Sequence, residues 1–285
     1  MDNRQHPNER SRGLRLRWLE LRNGSSDVTA RIATAVPLVL LAIVLVAVGG
    51  WVFAFGIFIL GVIALRELFS MFERLSPPIL AGFVGLLLLL VAAESGGPTR
   101  VLMALVGSLA VVFLISITDR QRTSLPGLAI AILGLVWIGL AFAHALMLRD
   151  LAHGSAIVFL VLIATFLTDT GAYFGGRTFG KRQLAPNISP AKTVEGLLIG
   201  IVVGTTAAWF TGLYFDWLSG VDALILGVSV ALFAPLGDLF ESYVKREAGV
   251  KDSGTIFGAH GGVLDRLDAV CFSIVVGYYV WSALL

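Results

Sequence analysis

The sequence predicts an all-α, polytopic integral membrane protein with about nine transmembrane helices and a cytoplasmic N-terminus. Hydrophobic residues make up 57% of the chain, and its mean hydropathy is +0.88. Apolar runs also recur along the chain at close to the ~20 residues that a helix needs to cross a bilayer. A soluble domain of 285 residues would not have this pattern.

Charge and cysteine content indicate which partners and which covalent links the protein can have. The net charge of +2 is too small to favour a nucleic acid as partner. The single cysteine, Cys271, lies in the last apolar run, so an intramolecular disulfide is impossible. We interpret it as a buried structural thiol.

The chain begins with an Arg-rich segment at residues 1–31, which has seven arginines and four acidic residues. We expect a tail that retains the N-terminus in the cytoplasm. The alternative is a short helix over residues 12–22 lying on an anionic leaflet. No processing site separates the following apolar runs, so we do not interpret the segment as a cleaved signal peptide.

The apolar runs form an N-terminal set at residues 32–125 and a C-terminal catalytic region at residues 126–285. The first run, 32–65, is too long for one span and is predicted to break at Gly49 and Gly50. The other runs are 79–93, 101–117, 126–147, 155–175, 194–214, 222–240 and 267–285. This topology predicts two cytoplasmic loops in the catalytic region, at 175–193 and 241–266.

The distribution of positive charge supports that topology. With the N-terminus inside, 19 of the 21 Lys and Arg residues lie on the cytoplasmic side, and only Arg100 and Arg149 lie outside. This asymmetry is the one that the positive-inside rule predicts.

The N-terminal set offers little chemistry. Glu67 and Glu73 lie beside Arg66 and Arg74, and we interpret them as interfacial ion pairs rather than catalytic groups.

Two histidines of the C-terminal region, His144 and His153, have no partner at metal-ligand spacing. We interpret both as structural or solvated.

Charged residues concentrate in residues 237–268, between two apolar segments. A helical rhythm places five polar side chains on one face: Asp238, Glu241, Ser242, Lys245 and Arg246. Asp265 and Asp268 are three residues apart and project to one side of the last helix. Carboxylates separated by Lys and Arg suit a hard divalent cation held against phosphate oxygens, because Mg²⁺ takes one or two carboxylates and leaves other positions to phosphates and water.

A second polar stretch begins with Asp169, which lies inside an apolar run. A carboxylate at membrane depth is costly without a partner or a wet cavity, so Asp169 is a site candidate, and a structural ion pair is the alternative. Gly175 and Gly180 imitate a phosphate-binding loop, but no strand precedes them. We instead predict a basic turn at the membrane surface that contacts lipid phosphate or nucleotide, formed with Arg177, Lys181 and Arg182.

Residues 187–196 are predicted to start the next helix, with Ser189 as N-cap and Pro190 in the first turn. Free amides there, beside Lys192 and Thr193, would bind an anion. Simple capping with an interfacial lysine is the alternative.

Small residues recur every four positions in the following span. They predict a face for close helix packing, either within one chain or across a homodimer, at Gly196, Gly200 and Gly204.

The charged stretch also resembles the signature of a known family. From Ser242 to Asp268 it reads S-x-V-K-R-x4-K-D-x-G-x2-F-G-x-H-G-G-V-x-D-R-L-D. This is similar to the signature of the phosphatidate cytidylyltransferases, also called CDP-diacylglycerol synthases, with no departure at a fixed position. Residues 187–196 are similar to a second recurrent region of the same family.

The resemblance implies a membrane enzyme that joins CTP to phosphatidic acid and gives CDP-diacylglycerol and pyrophosphate for phospholipid biosynthesis. We expect it in the bacterial inner membrane, with its site facing the cytoplasm. The resemblance implies metal dependence, and we expect Mg²⁺ at Asp238, Asp265 and Asp268. It also implies potassium as a second cation.

The remaining roles follow from the same resemblance and from charge. Lys245 and His260 are predicted catalytic residues, and a structural hydrogen bond is the alternative for His260. Eight residues are predicted to bind the substrates: Ser189, Lys192, Thr193, Ser242, Arg246, Lys251, Asp252 and Arg266.

Two other functions share the membrane setting. A CTP-dependent polyprenol kinase would transfer the γ-phosphate to an alcohol, and the unbroken signature argues against it. An ion-coupled transporter would also place Asp169 and Asp238 at membrane depth. It would not concentrate its charges on one side.

Overall fold

The computed structural model describes residues 39–118, 124–256 and 261–285. The Arg-rich segment, Arg120, Arg122 and His260 lie outside these residues, so the predictions made for them stay predictions. The chain divides into a small unit, residues 1–44, and a large unit, residues 45–285. All of the structurally described site residues belong to the large unit.

Seven described helices are long and apolar enough to cross a membrane. In chain order these are α2 (Gly50–Met71), α3 (Ile79–Thr118), α4 (Leu125–Asp150), α5 (Gly154–Phe179), α6 (Val194–Gly212), α7 (Gly220–Glu247) and α8 (Leu264–Leu284). A shorter apolar helix, α1, covers Val39–Val48. The predicted all-α membrane class is confirmed.

Three short elements complete the architecture. A 3₁₀ turn follows α2 at Glu73–Leu75, and a π-helical turn interrupts α4 at Leu135–Gly139. Between α5 and α6, β1 (Gln183–Ala185) and β2 (Ser189–Thr193) form an antiparallel hairpin.

Glycines mark the breaks in the N-terminal half. Gly49 and Gly50 have φ values of 69° and 51° and separate α1 from α2, so the predicted break is confirmed. Gly96 and Gly97 are non-helical within α3. A straight helix of 40 residues would be ~60 Å long, about twice the hydrocarbon thickness of a bilayer, and this break divides it into two segments. The count of nine spans and the orientation of the N-terminus stay predictions.

Two helices extend past their apolar runs. Helix α5 continues to Phe179 and α7 to Glu247, so the first residues of both predicted loops are helical. A helix satisfies its own backbone hydrogen bonds, so it continues into polar sequence without a break. Polar side chains on these last turns are therefore held in fixed register.

Helices α5 and α6 pack very closely through their glycines. A Cβ atom at Gly200 would lie 2.6 Å from the Thr168 carbonyl oxygen and 2.8 Å from the Ala172 Cβ. A Cβ at Gly196 would lie 2.6 Å from the Ala172 carbonyl oxygen. The small-residue face therefore packs within one chain, against the part of α5 that carries Asp169.

Helices α7 and α8 complete the C-terminal region. Helix α7 packs along α6 and α8, and α8 also contacts α4 and α5. Buried His144 on α4 has its Nδ1 2.7 Å from the Leu140 carbonyl oxygen and its Nε2 3.2 Å from the Tyr279 hydroxyl. His144 thus has the contacts of a structural residue, and Cys271 is buried and free, as predicted.

Candidate active site

Three predicted residues from distant parts of the chain meet beside α7. The Lys192 Nζ, on β2, lies 2.6 Å from the Asp238 Oδ2, on α7. Asp169, on α5, is half-buried and interacts electrostatically with both side chains. The α5–α6 contact and the hairpin that precedes α6 together place the lysine between these carboxylates.

Lys245 links α7 to α8. Its Nζ donates to the Glu241 Oε2 and to the Asp265 Oδ1, at 2.7 Å in both cases. The side chain of Glu241 is completely buried. Lys245 was predicted to be a catalytic residue, and its ammonium group is held between two carboxylates.

Asp265 organises the described residues of the loop before α8, which are 248–256 and 261–263. Its Oδ2 accepts hydrogen bonds from the Ser253 amide at 2.9 Å, the Ser253 hydroxyl at 2.8 Å and the Gly262 amide at 2.7 Å. Gly261, with φ of 82°, gives the chain the left-handed turn that brings this amide to the carboxylate. Both oxygens of Asp265 are thus engaged within the protein.

Asp268 lies one turn further along α8. Its Oδ1 accepts a hydrogen bond from the Ala269 amide at 2.7 Å, and its carboxylate interacts electrostatically with those of Glu241, Asp238 and Asp169. We call these four residues, Asp169, Asp238, Glu241 and Asp268, the carboxylate cluster.

In and beside the carboxylate cluster, acidic side chains outnumber the lysine ammonium groups that pair with them. Among the described residues, the cluster and Asp265 contribute five acidic side chains, and Lys192 and Lys245 form ion pairs with three of them. The buried Oε1 of Glu241 has no hydrogen-bond partner among the described residues. Buried carboxylates are costly unless they are paired or bind a cation, so this arrangement fits a bound cation.

The cluster is not a complete metal site by itself. Within residues 39–118, 124–256 and 261–285, no three His, Cys, Asp or Glu side chains are arranged to hold a metal ion. Mg²⁺ needs only one or two carboxylates when substrate phosphates and water supply its other ligands. The donor set therefore suits a cation that is bound together with a phosphorylated substrate.

A further acidic residue, Glu67 on α2, also reaches the loop. It accepts hydrogen bonds from the Val263 amide at 2.9 Å and the Leu264 amide at 2.7 Å. The Ser253 hydroxyl lies 3.3 Å from its Oε2. Glu67 is only 5% exposed, so its interpretation as an interfacial ion pair was wrong. The signal that could have identified it is the one used for Asp169, a carboxylate within an apolar helix.

The start of α6 differs from the prediction. Ser189 is not the N-cap, because residues 189–193 are extended and pair with β1. Thr193 caps the helix instead, and its Oγ1 accepts a hydrogen bond from the Gly196 amide at 3.1 Å. Pro190 fits the strand because an extended backbone allows its fixed φ. Ser189 is half-buried in the hairpin.

The basic turn after α5 is held by Glu195. Its Oε2 accepts hydrogen bonds from the backbone amides of Lys181 at 3.0 Å and Arg182 at 3.1 Å. The side chains of Lys181 and Arg182 are exposed. Gly175 and Arg177 belong to α5, where Gly175 packs against Ile199, so neither residue is part of the predicted turn.

Most of the other predicted site residues are exposed. The Arg177 Nη1 donates to the Tyr173 hydroxyl at 3.2 Å. The Arg246 Nε donates to the Ile188 carbonyl oxygen at 3.2 Å and so ties the hairpin to α7. Ser242 is half-buried, and three further residues are exposed: Lys251, Asp252 and Arg266.

Comparison with known proteins decides the family. The sequence profile described as "Cytidylyltransferase family" matches residues 29–284, which include all eight helices and both polar stretches. The chain belongs to the cytidylyltransferase family. Family membership therefore covers the N-terminal helices, including the one that carries Glu67, as well as the signature.

Several bacterial members of the cytidylyltransferase family are similar over nearly their whole length. The phosphatidate cytidylyltransferase of Bacillus subtilis (strain 168) is 34% identical over 266 residues, or 89% of this chain and 97% of the relative. The enzyme of the same name from Staphylococcus aureus (strain COL) is 34% identical over 248 residues, or 85% and 94%. The one from Staphylococcus epidermidis (strain RP62A) is 33% identical over 252 residues, with the same coverage.

Proposed function

We propose that this protein is a phosphatidate cytidylyltransferase that transfers the cytidylyl group of CTP to phosphatidic acid. The products are CDP-diacylglycerol and pyrophosphate. The observation that carries this proposal is the carboxylate cluster with Lys192 and Lys245 inserted into it, in a chain of the cytidylyltransferase family. The names of the full-length relatives support the choice of phosphatidate as acceptor.

The reaction needs little acid–base chemistry from the protein. An oxygen of the lipid phosphate forms a bond to the α-phosphorus of CTP. The bond from that phosphorus to the β-bridging oxygen breaks, and pyrophosphate leaves with the electron pair. A phosphate monoester is already largely ionised near neutral pH. The main obstacle is therefore the repulsion between two anions.

The protein's own cations address that obstacle in two ways. Lys192 and Lys245 are fixed by their carboxylate partners, so they present positive charge at defined positions without reorganisation. Arg246, Lys251 and Arg266 are exposed and are proposed to contact phosphate oxygens.

Mg²⁺ fits this site because the carboxylate cluster has excess negative charge and an unpartnered Glu241 oxygen. We propose Asp238, Asp265 and Asp268 as its protein ligands. When bound, Mg²⁺ would neutralise charge on the CTP phosphates. The potassium ion implied by the resemblance stays a prediction, and the cluster has charge enough for a second cation.

The cellular setting is also a proposal. The relatives are bacterial, so we propose the plasma membrane as the location. The positive-inside rule supports a site that faces the cytoplasm, where CTP is available.

The test is to supply the purified protein with phosphatidic acid, Mg²⁺ and CTP labelled separately at the α- and γ-phosphates. Label that reaches the lipid from the α position, with pyrophosphate released, would support cytidylyl transfer. Label from the γ position would indicate a kinase. Transfer from neither position would contradict both and favour the transporter.

A further inference from the structure

The first turn of α8 is capped by a residue from another helix. Val263, at the start of α8, has no side chain that can accept a hydrogen bond from the free amides there. The carboxylate of Glu67, 197 residues before Leu264, accepts from the amides of Val263 and Leu264 instead. A negative charge at a helix N-terminus is favourable, and charge-assisted hydrogen bonds are the stronger kind.

Two glycines that precede α8, Gly254 and Gly262, leave room for this carboxylate. A Cβ atom at Gly254 would lie 2.6 Å from the Glu67 Oε1, and a Cβ at Gly262 would also contact the carboxylate. Glycine at both positions therefore lets the backbone approach Glu67 from two sides. Ser253 joins the two acids, since its hydroxyl lies 2.8 Å from the Asp265 Oδ2 and 3.3 Å from the Glu67 Oε2.

We propose that Glu67 is a positioning residue for cytidylyl transfer, which fixes residues 253–254, residues 262–263 and the first turn of α8 so that Asp265 and Asp268 keep their places. This inference rests on the proposed function. Asp265 follows the capped Leu264 directly, and Asp268 follows one turn later, so a shift of this turn moves both carboxylates. The N-terminal helices thereby contribute to a site whose signature lies entirely in the C-terminal half.

The variant that tests this is Glu67→Gln, with Glu73→Gln as the matched control, because Glu73 is exposed just beyond the same helix. Glutamine keeps the size of the side chain but loses its charge, and its NH₂ group cannot accept from the second amide. We expect kcat to fall about 100-fold, as misplacement of catalytic groups by ~1 Å can produce, with the KM for CTP little changed. The control should match the wild type.

Hydrogen–deuterium exchange supplies a readout that does not depend on activity. In Glu67→Gln, amides of residues 253–256 and 261–264 should exchange faster, while those of α5 and α6 stay as protected as in the wild type. Unchanged exchange would overturn the proposal. So would a wild-type kcat combined with a lower unfolding temperature, because that result would give Glu67 a purely structural role.

A second variant keeps the proposal testable if Glu67→Gln does not fold. Ser253→Ala removes the hydroxyl between Glu67 and Asp265, and it should lower kcat and speed exchange in the same segment. Where both single variants fold, their effects on kcat should be less than additive, because they disrupt one network. Full additivity would contradict a shared role. If the wild type transfers no cytidylyl group, the proposed function fails, whereas the exchange data still decide whether Glu67 holds the loop.

Discussion

Lys245 links α7 and α8 at the site by ion pairs. Its ammonium group forms ion pairs with the completely buried Glu241 and with Asp265, which anchors the loop before α8. Removal of one partner from such an arrangement leaves an uncompensated charge in a poorly solvated place. Lys245 therefore supports both the fold of the site and its electrostatics.

The residue-scale prediction concerns stability. Lys245→Met should destabilise the protein by ~3–5 kcal/mol, because the Glu241 carboxylate loses its positive partner. Adding Glu241→Gln should recover part of that loss but not the transfer activity. Thermal unfolding in detergent measures both effects, with Lys251→Met in the exposed loop as the stability control. A Lys245→Met protein as stable as the wild type would contradict this account of the pair.

The sequence was informative about which residues belong to the site but less so about their partners. The helical rhythm around Asp238 and the three-residue spacing of Asp265 and Asp268 do bring polar groups to one region, and Asp169 joins them. Partners such as Glu67 and Ser253 are set by tertiary packing between distant segments. No local pattern specifies such a contact.

At the scale of elements, the α5–α6 contact places two site residues. Asp169 lies on α5, and Lys192 directly precedes the Thr193 cap of α6, so the distance between these helices fixes how both approach α7. The glycines at the contact allow backbone atoms to approach where any Cβ would intrude.

The prediction at this scale compares two glycine-to-alanine changes. Gly200→Ala should destabilise the protein by ~1–3 kcal/mol, since the new methyl group overlaps the Thr168 carbonyl oxygen. It should also lower transfer. Gly107→Ala on α3 meets nothing within 4 Å, so it should be neutral or stabilise by up to ~1 kcal/mol through helix propensity. Unfolding temperatures of the two variants test this, and shifts in the same direction would contradict it.

Element boundaries show where sequence patterns succeed and fail. Hydrophobic runs located the long helices and the Gly49–Gly50 break, because burial in lipid requires continuous apolar sequence. They did not locate the β1–β2 hairpin, where Ser189 and Pro190 resemble a helix start. The pairing of residues 189–193 with β1 overrides that local preference and moves the cap to Thr193.

At the scale of the whole molecule, the proposed activity requires a site that faces the cytoplasm, where CTP is available. Asp216 precedes α7 and Lys251 follows it, and a helix of 28 residues is ~42 Å long, enough to place them on opposite sides. The positive-inside rule predicts that Lys251 is cytoplasmic.

Cysteine labelling tests this orientation. A membrane-impermeant maleimide should label Lys251→Cys in inside-out vesicles and Asp216→Cys in right-side-out vesicles. The native Cys271 is buried, so its background should be low, and unmodified protein serves as the control. Labelling in the reverse pattern would contradict a cytoplasmic site.

The most direct measurement is the rate of cytidylyl transfer from α-labelled CTP to phosphatidic acid by Asp268→Asn beside Asp216→Asn. Asp268 belongs to the carboxylate cluster, whereas Asp216 is exposed in the loop before α7. We predict a fall in kcat/KM of at least ~100-fold for Asp268→Asn, or about 2.7 kcal/mol of lost transition-state stabilisation, and no change for Asp216→Asn. Equal activity of the two folded variants would contradict the assignment of the cluster as the catalytic centre.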